Sequence, residues 1–385
     1  MAARIFNVIV LGVGGMGSAA VFELARRGLK VLGLEQFSLV HDRGSSHGNT
    51  RVIRKAYYEH PNYVPLAKRS FERWYDLEQL CGRHLLTECG CLNIGLPDSE
   101  LITGVRRAAE EHGLPVEHLP AREFTRRFEP LCFEDDFVAV LEQQAGLLYV
   151  EDCVRAHIEQ ARRLGAELRE QEPVKSWKVD GAEVELQTAK GSYRAGRLVI
   201  TAGAWAHAVL ADLGLPLTVR RKVQFWFGTS CDQALRRDVF PIYLASALGG
   251  YYYGFPVIDG QGHKMARHDL GDQVADPSQV DRALHADEEQ DVRRFLAKHL
   301  PSANGPLRSH KVCLYTLTPD QHFIIDVHTH HPQVVLAAGF SGHGFKFAPV
   351  VGEILADLVQ NGRTELPIDM FRLNRAALRT NFSHG

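Results

Sequence analysis

The 385-residue sequence lacks an excess of charge of either sign. Lys and Arg number 44 against 46 Asp and Glu, so the formal net charge is −2. This balance produces no field that would collect nucleic acid or an anionic membrane surface without specificity. At roughly 100–200 residues per domain, the length predicts two or three domains with substantial cores. We therefore expect a soluble globular enzyme or binding protein, with no nucleic-acid or membrane partner.

Long apolar runs are also missing. The one apolar stretch near a terminus, Val8 to Phe22, contains four glycines and runs into Glu23. A membrane-spanning helix needs about 20 consecutive apolar residues, so this stretch is too short and too broken, although it resembles the core of a signal peptide. The C-terminal residues 381–385 carry no peroxisomal or retention tripeptide. These observations predict a cytoplasmic location.

Cysteine-pair motifs are absent as well. The seven cysteines form an odd set with no CxxC pair, a pattern that predicts single thiols in a reducing compartment. Cys89 and Cys91 are expected to alternate along a strand. His328, His330 and His331 have no partner at metal-ligand spacing, so we expect them in a solvated turn and predict no metal site.

The N-terminal region predicts a βαβ unit about thirty residues long. Phe6 to Leu11 is a short, β-branched apolar run that is typical of a buried parallel strand. A glycine-rich loop follows, then a helix predicted over Ser18 to Arg27. A second apolar strand, Val31 to Leu34, ends at Glu35.

The loop between strand and helix fits the dinucleotide-binding pattern GxGxxG, with Gly12, Gly14 and Gly17 at the three glycine positions. The first glycine permits the tight turn, the second lets a pyrophosphate approach the backbone, and the third lets helix and strand pack closely. The helix N-terminus then faces the diphosphate, and Glu35 is placed to bind a ribose. A glycine-rich turn without a ligand is the structural alternative.

The fingerprint does not separate FAD from NAD. FAD is favoured by the predicted strand pair Val174 to Thr188, by Thr201 to Trp205, and by a second glycine loop (Gly339, Gly342, Gly344) between a C-terminal strand and helix. Because the two glycine loops lie at opposite ends of the chain, the cofactor domain is expected to be discontinuous.

The predicted fold is therefore α/β with two domains, a Rossmann-like FAD-binding domain and a second, mainly antiparallel β-sheet domain for the substrate. The strand-rich, aromatic segment Val223 to Arg267 belongs to the second. The predicted boundaries are 1–85, 140–215 and 320–385 for the FAD-binding domain, and 86–139 and 216–319 for the substrate domain.

Five segments in sequence order carry a resemblance to a known family. They are GSSHGNTRVIRKAY (Gly44 to Tyr57), TAGAW (Thr201 to Trp205), YYGFP (Tyr252 to Pro256), VCLYTLTPD (Val312 to Asp320) and AAGFSGHGFKFAPVVGE (Ala337 to Glu353). The chain resembles the monomeric sarcosine oxidase family, with its relatives N-methyltryptophan oxidase and pipecolate oxidase. The resemblance implies a monomeric FAD enzyme that oxidises secondary amino acids, passes electrons to O2 and releases hydrogen peroxide.

The resemblance assigns roles to four residues with marked chemistry. Cys313 falls on the covalent attachment point of the flavin, a thioether to the 8α carbon, where a thiolate nucleophile is required. Arg54 and Lys346 match the pair that holds the substrate carboxylate. Lys264 matches the lysine that assists O2 reduction, since a fixed cation stabilises developing superoxide. The ordinary alternatives are an inert core thiol, a surface salt-bridge arginine and solvated lysines.

Further positions follow from the same resemblance. Tyr253, Tyr315, His268 and His343, with Arg51, match groups around the substrate and flavin. Leu244 matches an apolar residue that shapes the pocket. The remaining predicted cofactor contacts are His47, Thr50, Arg51, Val174, Gly203, Trp205, Gly342, Gly344 and Lys346. Asn49 stands where the family commonly has an acidic residue.

The expected reaction is sarcosine-like oxidative demethylation that gives glycine, formaldehyde and hydrogen peroxide. Cationic surroundings should favour loss of the substrate's ammonium proton before oxidation. L-Pipecolate- or L-proline-type cyclic amino acids are the alternative substrates. A flavin dehydrogenase with a non-oxygen acceptor and a nonenzymatic dinucleotide sensor are the alternative classes. The sequence leaves open the physiological substrate and the choice between hydride and electron transfer.

Overall fold

Three β-sheets and eight α-helices organise the part of the chain that this computed structural model describes, residues 4–258 and 260–379. The C-terminal residues 381–385, examined above for a targeting tripeptide, lie outside the described residues. Within these ranges, no helix is both long and apolar enough to cross a membrane.

The strands are numbered along the chain as β1 (Arg4–Leu11), β2 (Val31–Leu34), β3 (Thr50–Ile53), β4 (Leu86–Glu88), β5 (Cys91–Gly95), β6 (Glu117–Pro120), β7 (Val138–Glu142), β8 (Gly146–Tyr149), β9 (Glu167–Arg169), β10 (Val174–Asp180), β11 (Glu183–Thr188), β12 (Ser192–Ile200), β13 (Thr218–Phe227), β14 (Ile242–Ala247), β15 (Gly250–Phe255), β16 (His263–Arg267), β17 (Leu307–Leu317), β18 (Ile324–Val327) and β19 (Val334–Ala338). The helices are α1 (Gly15–Arg26), α2 (Val64–Cys81), α3 (Glu100–His112), α4 (Ala121–Arg127), α5 (Val150–Arg163), α6 (Ala206–Val209), α7 (Ala286–His299) and α8 (Ala348–Asn361).

The first sheet has a parallel centre. β1 pairs in parallel with β2 on one side and β12 on the other, and β12 pairs in parallel with β19. The antiparallel β10–β11 hairpin extends this sheet, and α1 packs against α5 and α8. Val8, Ile9 and Val10 are fully buried, as expected for a strand with helices or chain on both faces. The predicted βαβ unit is confirmed.

The second sheet is mainly antiparallel. Its order is β17-β13-β16-β15-β14-β5-β7-β6, and only the β14–β5 pair is parallel among the described strands. Its aromatic core includes Phe225, Phe227, Tyr243 and Phe295. The strands of the first sheet lie within residues 4–34, 167–200 and 324–338, and those of the second within 91–142 and 218–317. The predicted fold class is therefore confirmed.

The small third sheet, β3-β8-β4, is antiparallel. β8 corrects the predicted helix over Leu148 to Leu164, because residues up to Tyr149 pair with β3 and α5 begins at Val150. Likewise α1 begins at Gly15, three residues before the predicted start at Ser18, because the third fingerprint glycine lies inside the helix.

The predicted alternation of Cys89 and Cys91 along one strand is wrong. Gly90 has a φ of 79°, a left-handed conformation that interrupts an extended chain. Cys91 therefore opens β5, while Cys89 lies outside it.

The prediction that the histidine cluster is a solvated turn without a metal-ligand partner is also wrong. His328 is buried, and its Nε2 lies 2.9 Å from Oδ2 of Asp212. Candidate ligand atoms of Asp212, His328 and His331 lie within 4.8 Å of one another. However, Nδ1 of His328 accepts the backbone N–H of His330 at 3.2 Å. The ring proton therefore sits on Nε2, where it faces the carboxylate and occupies the position that a metal would need.

Candidate active site

An elongated cleft of about 310 Å³ opens beside the glycine loop that follows β1. It is also lined by the second glycine loop and by the segment after β12. The predicted cofactor residues that line it are Gly12, Gly14, Glu35, Arg51, Val174, Gly203, Trp205, Gly342 and Gly344.

The first glycine loop is shaped by close backbone contacts. Gly12 has a φ of 90°, and a Cβ there would lie 2.6 Å from the carbonyl oxygen of Thr201. Gly17 does not line the cleft, since a Cβ on it would lie 1.8 Å from the carbonyl oxygen of Gly12. Its role is therefore close packing of α1 against the loop. Gly14, the N-cap of α1, provides no side-chain cap, and the N–H of Gly15 donates to Oγ of Ser46 at 3.1 Å. The positive end of the helix still faces the cleft, where it favours an anion.

Glu35 is held at the cleft by backbone groups. Its carboxylate accepts the N–H of Val13 at 2.9 Å and the N–H of Phe37 at 3.1 Å. These bonds fix an acidic side chain at the end of β2, the place where dinucleotide-binding sheets bind a ribose.

Cys313 lies on β17 and is fully buried. Its Sγ is 3.5 Å from Nη2 of Arg51 and 3.5 Å from the carbonyl oxygen of Ser45. Arg51 is positioned by β3 and also donates to the carbonyl of Ser45 at 2.7 Å. The Arg51 guanidinium and the Ser45 carbonyl thus hold the Cys313 thiol in one position.

A second cavity, of about 80 Å³, adjoins the cleft, and we call it the amine pocket. Arg51, Tyr315 and Gly342 line both. The predicted residues that it brings together are Arg51, Arg54, Leu244, Tyr253, His268, Tyr315, Gly342, His343 and Lys346.

Arg54 is only 2% exposed, so the surface salt-bridge alternative is wrong. Its Nη2 donates to both carboxylate oxygens of Glu59, at 2.8 and 2.7 Å, and its Nη1 donates to the carbonyl of Ala56. Burial works against ionisation of Glu59, but the Arg54 charge prevails and lowers the Glu59 pKa to about 2. Sequence reasoning missed Glu59. Its position five residues after Arg54, the arginine predicted to bind the substrate carboxylate, is the signal that the sequence offered.

Lys346 is a buried cation that bonds to neutral oxygens. Its Nζ donates to the carbonyl of His343 at 2.7 Å and to the hydroxyl of Tyr57 at 3.2 Å. The ammonium lies 5.1 Å from the ring centre of Tyr57 and 5.6 Å from that of Phe347. Burial, assisted by the Arg54 charge, lowers the pKa of Lys346 to about 7.

The two histidines of the pocket are held neutral. Burial lowers the pKa of His343 to about 3 and that of His268 to about 4. Both ring nitrogens of His343 are occupied, Nδ1 by the hydroxyl of Tyr57 at 2.7 Å and Nε2 by the carbonyl of Gln321 at 3.0 Å. His343 therefore positions its neighbours, whereas Nδ1 of His268 makes only a long contact, 3.4 Å, with the Tyr315 hydroxyl.

Lys264 lines a third cavity, of about 310 Å³, which we call the lysine cavity. Its buried Nζ donates to the carbonyls of Gly48 and Thr50, at 2.6 and 2.8 Å, and to Oγ1 of Thr50 at 3.2 Å. Burial lowers its pKa well below the ordinary lysine value. Glu151, which sequence reasoning missed, fixes the same loop because its carboxylate accepts the N–H groups of Gly48 and Asn49.

Two residues of this loop behave unlike simple cofactor contacts. His47 is buried, contacts the carbonyl of Gly44 at 3.1 Å and lines none of these three cavities. Asn49 has a φ of 67°, which asparagine tolerates better than most residues. Its side-chain amide donates to Gln261, a bond that a carboxylate at this position does not make.

Comparison with known proteins places the chain in a family. A family model described as FAD dependent oxidoreductase matches residues 7–358. This chain belongs to that family. Monomeric sarcosine oxidase from Streptomyces avermitilis is 45% identical over 97% of this chain and 98% of the relative. N-methyl-L-tryptophan oxidase from Salmonella heidelberg is 33% identical over 96% of this chain and 99% of the relative. The resemblance predicted from the five motifs is thereby confirmed.

A solved structure of NikD, described as an unusual amino acid oxidase essential for nikkomycin biosynthesis, superposes with a TM-score of 0.86. It is 25% identical and covers 96% of this chain and 98% of its own.

The cleft of this FAD-dependent oxidoreductase fits the cofactor of its family. The N-terminus of α1 is suited to a diphosphate, and Glu35 to a ribose. The cleft continues past Arg51 and Tyr315 to the amine pocket. FAD is thus the cofactor.

Proposed function

We propose that this oxidoreductase is an oxidase of small N-methyl amino acids, with sarcosine-like demethylation to glycine, formaldehyde and hydrogen peroxide. The observation that carries the proposal is the pair of buried cations, Arg54 and Lys346, in a cavity that adjoins the flavin cleft. The relatives favour the N-methyl class over cyclic amino acids and over a dehydrogenase that uses another acceptor. We also assign the first sheet to FAD binding and the second to the substrate.

The charges of the amine pocket suit one added carboxylate. Arg51, Arg54 and Lys346 contribute three positive charges when Lys346 is protonated, and Glu59 contributes one negative charge, so the lining has an excess of positive charge. A buried cation without an acidic partner is costly. A substrate carboxylate on Lys346 and Arg54 removes that cost, and each charge-assisted hydrogen bond contributes about 1.5–3 kcal/mol.

The same charges act on the substrate's nitrogen. Nearby cations lower the pKa of an amine, so the pocket favours release of the ammonium proton to solvent. His268 and Tyr253 are neutral beside the amine, because burial lowers the pKa of His268 to about 4 and raises that of Tyr253, whereas Arg51 adds a positive charge at this end. Neutral hydroxyl and imidazole groups can orient a neutral amine through hydrogen bonds.

FAD, when bound, supplies the two-electron acceptor for the C–H bond beside the nitrogen and passes the electrons to O2. We propose that Cys313 is its covalent attachment point, supported by the buried thiol 3.5 Å from the guanidinium of Arg51, a residue that lines the cleft. We propose that Lys264 serves the oxygen reaction. In support, Lys264 lines a cavity other than the amine pocket, and its ammonium bonds to Thr50, the residue before Arg51.

A substrate panel tests this function. We expect oxygen uptake with sarcosine, with formaldehyde and hydrogen peroxide formed in equal amounts, and little uptake with L-pipecolate or L-proline. The flavin is followed in parallel without oxygen. Bleaching by sarcosine without oxygen uptake in air would indicate a dehydrogenase, and a flavin that no amino acid bleaches would reject the proposed function.

A further inference from the structure

Two tyrosines meet at one end of the amine pocket, and we call them the tyrosine pair. The rings of Tyr58 and Tyr251 are stacked, with centroids 6.2 Å apart and an interplanar angle of 8°. Both line the pocket. Tyr58 follows β3 and lies beside Glu59, whereas Tyr251 belongs to β15. They come from two parts of the chain that are far apart in sequence.

Two tyrosines of β15 define an inner and an outer end of the amine pocket. Tyr251 and Tyr253 are two residues apart on β15, so their side chains point to the same face about 6.6 Å apart. Tyr253 is at the inner end, beside the ring of His268 and in the field of Arg51. Tyr251 is at the outer end, where its hydroxyl donates to Oε2 of Glu100 at 3.1 Å in an exposed position. The tyrosine pair therefore closes the outer end.

Each ring is fixed by its own contacts. The Arg54 guanidinium lies 5.0 Å from the ring centre of Tyr58, a cation–π distance. The backbone of Tyr58 packs directly on α3, where a Cβ on Gly104 would lie 2.4 Å from its carbonyl oxygen. Tyr251 is held through Glu100 and through its N–H, which donates to Asp269 at 3.0 Å.

The position of Arg54 determines which part of a substrate faces the tyrosine pair. If the carboxylate binds Arg54 and Lys346, the carbon that bears the carboxylate lies one bond away. Two rings pack on the Arg54 guanidinium, Tyr57 at 4.1 Å and Tyr58 at 5.0 Å, and of these Tyr58 lines the pocket. Tyr58 is therefore the ring beside Arg54 that a side chain on that carbon can meet. The nitrogen and its substituent face the inner end, with Tyr253 and His268.

We propose that Tyr58 and Tyr251 are specificity-determining residues that restrict this enzyme to amino acids with no side chain, or a very small one, on the carbon that bears the carboxylate. The inference rests on the proposed function and narrows it to N-alkyl glycines. The volume of about 80 Å³ and the apolar side chain of Leu244 beside the tyrosine pair support the same limit.

The test compares sarcosine with N-methyl-L-phenylalanine in wild-type, Tyr251→Ala and Tyr58→Ala enzymes, by kcat/KM for each. Wild type should prefer sarcosine strongly. Each truncation should shift the ratio toward the bulky substrate by about tenfold or more, the range that added room in an apolar pocket supplies. Tyr251→Phe keeps the ring and should keep the wild-type ratio. Tyr75→Ala, which removes a tyrosine from the outer face of α2, is the matched surface control.

A binding measurement complements the kinetic one. It still reports on the pocket if a truncation to alanine lowers the turnover rate. Dissociation constants of acetate and phenylacetate are read from the flavin absorption spectrum. We expect the phenylacetate constant to fall in both truncations while the acetate constant changes little. Unchanged ratios in both measurements, or a wild type that oxidises the two substrates equally well, would overturn the role of the tyrosine pair. A wild type inactive on sarcosine would instead reject the underlying function.

Discussion

Arg54 and Lys346 are buried in the same pocket but are stabilised differently. Arg54 has Glu59 as a bidentate ionic partner. Lys346 bonds to a carbonyl and a phenol, and burial lowers its pKa to about 7. One of the two cations is therefore permanent and the other depends on pH.

This difference predicts that carboxylate binding weakens as pH rises through about 7. Lys346 is cationic below its pKa and neutral above it, so an anion binds the low-pH form and binding takes up a proton. The dissociation constant of acetate should rise by up to about tenfold per pH unit above that point. This dissociation constant is measured by titrating the flavin absorption spectrum with acetate at each pH. Acetate has no amine, so no ionisation of an amine contributes to the pH profile.

Lys346→Met supplies the control for this profile. Acetate should bind more weakly to the variant, with no step near pH 7, because His268 and His343 titrate near 4 and 3. A step of unchanged size in the variant would assign the titration to another group.

A second prediction for a single residue concerns Cys313. In the wild-type protein denatured by acid, flavin colour should stay with the polypeptide, whereas in Cys313→Ala it should remain in the supernatant. Cys153→Ala is the matched control, since Cys153 is equally buried but lies on α5 and contacts the carbonyl of Leu85. Colour that still precipitates with Cys313→Ala would place the covalent bond elsewhere.

Among the elements, β3 stands between two cavities. Thr50 lines the lysine cavity and accepts from Lys264, and Arg51, the next residue, lines the amine pocket and contacts Cys313. Successive side chains of a strand point to opposite faces, so Thr50 and Arg51 face different cavities, which also share the ring of Phe255 as a lining.

Because Lys264 and Lys346 line different cavities, we expect them to affect different half-reactions, the oxidation of the reduced flavin by O2 and the reduction of the flavin by the amino acid. Lys264→Met should slow the reaction of the reduced enzyme with O2 by roughly 100-fold, the loss typical of a removed electrostatic stabiliser. Reduction by sarcosine without oxygen should change much less. Stopped-flow absorbance measures both rates, and equal losses in both would refute the oxygen role of Lys264.

Lys222 is a second buried lysine, and it serves as the matched control for Lys264. Burial lowers its pKa to about 8, and its Nζ donates to the carbonyls of His268 and Leu270. Because these bonds hold the His268 segment of the amine pocket, Lys222→Met should mainly slow the reduction step.

For the whole molecule, local patterns were sufficient to predict the cofactor half. The strand, glycine loop and helix between Phe6 and Arg27 are contiguous, and each residue type has a physical reason at its position. The composition of Val223 to Arg267 predicts strands, which the second sheet confirms, but the composition alone does not give their antiparallel order. Helix and strand limits near Gly15 and Tyr149 were misplaced because tertiary pairing, absent from a local pattern, determines them.

The contacts that a local pattern could not supply join distant residues. Tyr58 meets Tyr251 and Asp212 meets His328 across more than a hundred positions each. Sequence reasoning left His328 in solvent because nothing near it indicated a buried carboxylate contact. Glu151 was missed for the same reason, since its partners are backbone groups of another segment.

The alternation of side chains along β3 has an evolutionary consequence. Tyr58 and Tyr251 line the amine pocket but not the lysine cavity, so on the proposed roles a change at either residue alters the choice of amine and leaves the lining around Lys264 as it is. A lineage built on this plan is free to explore new amines through these two positions.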